Sequence, residues 1–545
     1  MKAWIKTKSC VVCAIAALLL VEFTTPIQGA LTPTDLRCEY LKNPLGIDDL
    51  HPRLSWRMEV KGNDPQSVRG VMQSAYRILA ASSREKLAKG DGDLWDSGKV
   101  VSDQSLNVEY AGKSLTTRER CHWKVQVWDG MGTVSGWSES TQWNMGLLKA
   151  EDWRARWISA DTRNDATLKD QFGGDQQPPR VTSPQILPLL RAAFRVEKPV
   201  RRAEIAICGL GFYEARLNGK PLDGAVLEPG WTNYRKTCLY RVHDLTGRIL
   251  QGENVLGVML GNGMYNVVGG RYTKFTGSFG PPKLIAQLDI EYADGTTAQV
   301  VTDGNWKIAP GPIVFSCIYG GEDYDARRES VGWDCPGFDA STWQAAEECA
   351  GPGGRLSTHS GPPIKVVETF QTARVTQPRP GLWVYDLGQN FSGWPRLSVR
   401  GPAGATVKMV TGELLETTGL VSQASSGSPV WYAYTLKGEG AEVWEPRFSY
   451  TGFRYVQVEG AVPASETTAA SGLPRIQNIE GRFLYPDAAI TGEFSCSNPD
   501  VNRVHALILA AIKSNFKSVL TDCPHREKLG WLECAHLLAG CFMYN

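Results

Sequence analysis

The run Asp522-Cys523-Pro524-His525-Arg526-Glu527-Lys528-Leu529-Gly530-Trp531-Leu532-Glu533 sets three acids, an arginine and a tryptophan within twelve residues. Carboxylates beside a tryptophan suit sugar chemistry, in which one acid protonates a leaving oxygen while an aromatic face holds the ring. The same residues also describe a charged helix N-terminus, where acids offset the helix dipole and Glu527 and Arg526 merely solvate the surface. The chain ends at Asn545, twelve residues beyond the cluster. It is therefore expected to carry only part of an active site.

The elements around the cluster read as helical. Ser497-Asn498-Pro499 is a helix start, a capping side chain followed by proline in the first turn. Val501, Val504, Ile508, Ile512 and Phe516 then recur at three- or four-residue steps and form one apolar face. The pattern predicts a second helix that begins after Pro524 and carries Glu527 through Leu538.

Everything upstream reads as β-structure. Between 31 and 150, Pro52-Arg53-Leu54-Ser55-Trp56, Ala75-Tyr76-Arg77-Ile78-Leu79 and Trp123-Lys124-Val125-Gln126-Val127-Trp128 alternate in polarity, with turn signals at Gly62-Asn63-Asp64 and Asp129-Gly130. This fits a fibronectin-III-like β-sandwich. Residues 151–361 open with a polar insert (161–184) rich in Gln, Asp and Gly. They continue through Ala203–Ile207, Gly211–Leu217, an Asn218-Gly219 hairpin turn, Asn254–Leu260 and Leu284–Ile290, as in a jelly-roll sandwich. Here Trp231, Asn233, Tyr234 and Tyr265 are either a sugar platform or core and loop residues. Residues 362–487 form a third β-sandwich with strands at Val407–Val410 and Arg454–Val458. Residues 488–545 begin a helical unit. The fold class is thus multidomain and mainly β, three β-sandwiches followed by the first helices of an α-helical domain.

Bulk properties agree with a multidomain globular chain. Its 545 residues exceed what one core holds. A net charge of +1 gives no electrostatic reason to expect nucleic acid or an anionic membrane as partner. Lys2, Lys6 and Lys8 precede the apolar run Cys10 to Val21, so residues 1–30 read as an export signal, and the expected location is periplasmic or extracellular. The run is too short for a comfortable membrane span, and no later segment is apolar enough for one. Without its first two, the thirteen cysteines contain no CxxC pair, which argues against zinc or a redox motif. Asp323 and Asp325 are acids without EF-hand spacing. No cofactor or metal is expected.

The chain resembles bacterial α-L-rhamnosidases with an (α/α)6-barrel catalytic domain. The resemblance is carried by Asn43-Pro44-Leu45-Gly46-Ile47, Pro52–Trp56, Gly230-Trp231-Thr232-Asn233-Tyr234, Gly261-Asn262-Gly263-Met264-Tyr265, Tyr319–Arg327, Asp386-Leu387-Gly388-Gln389-Asn390, Gly452-Phe453-Arg454-Tyr455 and, most specifically, the Asp522–Glu533 run. It implies inverting hydrolysis of terminal α-L-rhamnose from an oligosaccharide, polysaccharide or glycoside. Inversion needs a protonated acid at the glycosidic oxygen and a carboxylate roughly 6.5–9.5 Å away across the ring. By resemblance Glu527 is the general acid, and Asp522, Arg526, Trp531 and Glu533 line the rhamnose subsite. Neighbouring acids are expected to keep Glu527 protonated, with Arg526 countering the crowd.

In that family the barrel continues far past this point and the general base lies downstream. No residue here matches that base, and two helices cannot close the toroid. The expectation is a fragment, inactive or nearly so, with Val519 and other apolar faces exposed. The competing reading is an exported, non-catalytic carbohydrate-binding protein built from β-sandwiches.

Overall fold

Alternating apolar and polar residues become strands through most of the chain, and the apolar sides of those strands make its cores. The computed structural model describes residues 30–61, 70–160, 186–267, 269–466 and 472–545. Residues 1–29 of the expected export signal, the Gly62-Asn63-Asp64 turn and the polar insert lie outside the described residues.

The chain divides into two units. One gathers the residues up to Asn43, Leu50–Ser114 and Arg120–Gln142. Its sheets run Ala30–Cys38, Arg53–Lys61 and Val108–Glu109 on one side, and Trp95–Asp96, Gln73–Ala81 and Arg120–Asp129 on the other. Period-two side chains such as Trp123, Val125 and Val127 are fully buried, as alternation demands. A single helical turn, α1 (Arg84–Ala88), is capped by Ser83, whose side chain accepts the Lys86 N–H.

The second unit holds the rest. A six-stranded and a seven-stranded sheet enclose Ile205, Ile207, Leu256, Val258, Leu284 and Leu288. Val200–Leu210 lies at the middle of the second sheet, between Lys283–Tyr292 and Thr237–Asp244. The Asn218-Gly219 turn forms as expected, both residues at positive φ (51° and 80°), the backbone of a two-residue hairpin.

An eleven-stranded sheet follows. Its spine is the nineteen-residue strand Leu382–Arg400, which pairs first with Arg374–Arg379 and Thr451–Glu459, then with Arg475–Pro486 and Ala441–Trp444. The register shifts between Asp386 and Phe391. There Gly388 has φ +81° and Arg454 grips Asp386 with two hydrogen bonds of 2.7 and 2.9 Å. Gly321–Asp325, from the middle of the chain, joins this sheet parallel to Trp431–Thr435.

Two longer helices close the chain. In α2 (Pro499–Asn515), Asn498 caps the N-terminus and proline takes the first turn, as the sequence predicts. Its apolar face is exposed at Val501, Val504 and Ile508 and buried at Ile512. The second helix differs from expectation. It is α3 (Leu532–Tyr544), so Glu527 lies in a turn that precedes it. Among the described residues, no helix is long and apolar enough to cross a membrane.

Phe391 anchors the spine strand, its ring 4.6 Å from Phe453, 4.8 Å from Phe370 and 5.7 Å from Phe483. Phe391→Ala is expected to cost about 3–5 kcal/mol, seen as a lower urea midpoint by tryptophan fluorescence. A loss below about 1 kcal/mol, the size of a surface change, would contradict this packing.

Candidate active site

The loop between α2 and α3 is closed on itself and fastened at both ends. The Asp522 N–H donates to the Leu529 carbonyl at 3.2 Å, and the Leu529 N–H returns a bond to Asp522 Oδ1 at 3.3 Å. At the α2 end, Lys517 is buried. Its ammonium donates to Ser392 Oγ at 2.6 Å and to the Ser514 carbonyl at 3.1 Å, and burial pushes its pKa well below the usual lysine value. At the other end Lys528 is wholly buried. Its ammonium donates to the carbonyls of Ile318 and Tyr450 and lies 4.3 Å over the Tyr450 ring. Lys528 itself sits at φ +53°, left-handed backbone that ends any helical continuation from Pro524. This explains the late start of α3.

The ends of the β-strands and the turns and loops between them form a cradle for the loop. Tyr319 Oη donates to the Glu527 carbonyl at 2.6 Å, and Tyr272 Oη donates to the Arg526 carbonyl at 3.0 Å. Arg526 N–H donates to His525 Nδ1 at 2.7 Å, while His525 Nε2 lies 3.0 Å from Glu413 Oε2. Asn390 holds the other Glu413 oxygen at 2.9 Å. A side chain at Gly452 would put its Cβ 2.7 Å from Pro524 Cγ, so glycine there admits the loop. Behind the loop is a cavity of ≈ 20 Å³ lined by Trp231, Ile318, Tyr450, Lys517, Thr521 and Lys528, room for about one water.

Glu527 faces a cation. Its Oε1 lies 2.7 Å from Lys274 Nζ, and its Oε2 accepts from Trp531 Nε1 at 3.1 Å. These bonds, with Lys274 the largest influence, hold its carboxyl below the usual glutamate value. This corrects the expectation that neighbouring acids keep Glu527 protonated. Asp522 is engaged by its own loop, and Glu533 is exposed in the first turn of α3. Arg526 is exposed, and Trp531 is 52% exposed. The loop thus brings Asp522, Glu527 and Trp531 together, with Arg526 on its outer surface and Glu533 exposed at the start of α3.

Other candidates sort simply. Tyr234 and Tyr265 are core, their rings 5.2 Å apart and edge to face, while Trp231 borders the cavity and Asn233 is exposed. Asp323 is paired with Arg271, and Asp325 with Arg327. Among the described residues, no group of three His, Cys, Asp or Glu side chains is placed to hold a metal ion. Sequence reasoning missed Lys274, Glu413 and Lys528. Only Lys528 stands inside the motif, and the other two reach it across 253 and 112 positions of chain.

Burial pushes the Lys528 ammonium down to about 7. The unfolded chain keeps that proton to about 10.5 and so binds more protons than the folded chain across this window. Stability from this group is level below pH 7 and rises with pH between the two values. In Lys528→Met the rise is absent, so the stability gap between wild type and variant grows by up to about 1.4 kcal/mol per pH unit above pH 7. Urea unfolding at pH 6 through 9 checks it; a gap independent of pH contradicts the burial of this ammonium.

Comparisons with known proteins cover most of the chain. Four family models match: the Rha78A-like N-terminal immunoglobulin domain at 33–149, the alpha-L-rhamnosidase N-terminal domain at 198–368, the bacterial alpha-L-rhamnosidase concanavalin-like domain at 376–485, and the bacterial alpha-L-rhamnosidase 6 hairpin glycosidase domain at 489–545. An alpha-L-rhamnosidase of Formosa agariphila is 36% identical over 92% of this chain and 53% of its own length. One from Streptomyces avermitilis is 32% identical over 95% of this chain and 64% of its own. Among solved structures, the alpha-L-rhamnosidase of Dictyoglumus thermophilum superposes with a TM-score of 0.83 at 35% identity, covering 94% of this chain and 55% of that one. The Streptomyces avermitilis alpha-L-rhamnosidase complexed with L-rhamnose gives 0.82 at 30% identity, covering 94% and 63%. The chain therefore spans roughly half to two thirds of the length of these relatives (53% and 64%). With its mainly β architecture, its acid-bearing loop and four successive matches in one order, the chain belongs to the bacterial α-L-rhamnosidase family.

Proposed function

We propose that the 522–533 loop is the acid side of a site that hydrolyses terminal α-L-rhamnosides with inversion, Glu527 being the general acid. The observation that carries this reading is the meeting of Glu527 with the half-exposed Trp531, whose indole N–H holds one carboxylate oxygen at 3.1 Å. A carboxylate beside an exposed aromatic face is what protonation of a ring-bound leaving oxygen takes. Trp531 covers an apolar face of the sugar. Asp522 and Glu533 accept hydrogen bonds from its hydroxyls, and Arg526 balances their charge. The carboxylate that activates water across the ring is assigned to no residue of this chain, so the proposal concerns proton donation and rhamnose recognition. Membership of the rhamnosidase family and the rhamnose complex of a relative support it. The non-catalytic sugar-binding reading is not favoured. We read the protein as exported, on the charged start and short apolar run of residues 1–30.

The test is nitrophenol release from an aryl α-L-rhamnoside by the purified chain, beside calorimetric binding of L-rhamnose. If the chain turns over, Glu527→Gln lowers kcat by about 100-fold or more, whereas an unchanged rate removes Glu527 from the acid role. If neither hydrolyses, L-rhamnose binding weakened at least tenfold by Trp531→Ala and Asp522→Ala supports the subsite. Binding that both variants leave intact overturns it.

A further inference from the structure

The segment that delivers Lys274 is clamped on both sides of it. Arg271 is sandwiched between Phe315 and Trp431, its guanidinium carbon 4.0 and 3.6 Å from the two ring centres, and is paired with Asp323. The Tyr272 N–H donates to the Pro429 carbonyl at 3.1 Å, and its hydroxyl reaches the loop at Arg526. Phe275 packs edge-on against Tyr319, ring centres 5.8 Å apart. Lys274 therefore projects from a mount with two anchored residues before it and one after. A long lysine held at only one end of such a segment would give a solvated surface charge. Anchoring both flanks points its ammonium at one place, the Glu527 carboxylate.

We infer that Lys274 is a positioning residue of the candidate acid. Its ammonium holds the Glu527 carboxylate against Trp531, and drawing it away favours the protonated form that Glu527 needs to serve a leaving group. This rests on the acid role proposed for Glu527. An ammonium on one carboxylate oxygen and an N–H donor on the other favour the charged form and so disfavour protonation. The hydroxyls of a bound glycoside's leaving group are suited to take Lys274's place, because they lie at the oxygen the acid serves. Lys274 would then trade an ion pair for hydrogen bonds to substrate, and the Glu527 pKa would rise where it is needed.

The other charged or titratable groups around Glu527 do not supply this control. Asp522 bonds to its own loop and also hydrogen-bonds the Glu527 side chain, a smaller influence than Lys274, and Cys523 Sγ accepts the Glu527 N–H at 3.2 Å. Tyr319 and Tyr272 hold backbone carbonyls. The Arg526 side chain is exposed. Lys274 is the group with a direct ionic contact, and at 39% side-chain exposure it is free enough to leave.

The experiment needs no turnover. The chain is labelled with 5-fluorotryptophan, and the Trp531 resonance, identified by its loss in Trp531→Phe, is followed by fluorine NMR from pH 3 to 7. In wild type it should titrate below the ordinary glutamate value. Lys274→Met should raise the midpoint by about one pH unit, with Lys274→Arg restoring it and circular dichroism unchanged in both. Wild type in 1 M salt should move part of the way towards Lys274→Met, since a half-exposed pair is screened. A midpoint that Lys274→Met leaves in place overturns the inference, as does a Trp531 resonance indifferent to pH in all forms. Failure of the acid role is read separately, from Glu527→Gln on turnover, which does not enter the titration.

Discussion

The loop that carries the candidate acid depends on one buried lysine. The Lys528 ammonium is out of reach of water, where an unpaired charge costs several kcal/mol or more. Two backbone carbonyls and the faces of Tyr450 and Tyr319, 4.3 and 5.5 Å away, offset that cost. Ile318 and Tyr450 are 132 positions apart in the chain, so one side chain ties the loop at once to a hairpin turn after Ile313–Cys317 and to the residue before Thr451–Glu459. To reach them Lys528 turns into the protein in a left-handed conformation, while Glu527, one residue earlier, stays at the surface beside Lys274. A helix through this stretch would rotate successive side chains by about 100° and lose the opposition of the two. The anchor and the acid are therefore one design, with the strain at Lys528 serving the position of Glu527.

Lys517 plays the matching part at the start of the segment. It binds Ser392, which in turn donates to the Ser514 carbonyl at 2.6 Å, and so the end of α2 is hung from the long spine strand. The Asp386–Asn390 segment upstream on that strand shares in the task, because Asn390 orients Glu413 and Glu413 orients His525. Several motifs scattered through the β-part thus find a common purpose. Tyr319, Asn390, Tyr450 and Gly452 each meet the 517–531 segment or a residue that holds it. The sheets act as a mount, stiff because their cores are aromatic and close-packed, and the loop inherits that stiffness through a few polar contacts.

Strands were legible because their signal is local. Trp123 to Trp128 and Leu284 to Ile290 alternate or run apolar in ways that any window of the sequence displays, and strands form over both. The cap at Asn498 was legible for the same reason. The start of α3 was not. Pro524 followed by Glu527 and a leucine-rich stretch imitates a helix N-terminus, and nothing local announces that Lys528 will bury its charge in a partner 210 positions away. Glycine would have marked a left-handed residue; lysine conceals it. Lys274 was hidden by distance as well, in a stretch whose bland reading is a basic surface loop.

The same blindness to distance governed the electrostatics. Counting charges along the motif gives three acids against Arg526 and Lys528, which suggests crowding that favours a protonated Glu527. Folding redistributes them. Asp522 is absorbed by the loop closure, Glu533 faces solvent on the next helix, and Lys528 is withdrawn into the core. The strongest contact left to the Glu527 carboxylate is a cation from another part of the chain, at 2.7 Å. At that separation direct contact outweighs carboxylates screened by water, and the resting state is an ion pair. The contact favours the charged carboxylate, so the acid role proposed for Glu527 calls for a change in its surroundings, and Lys274 is the contact whose movement would make it.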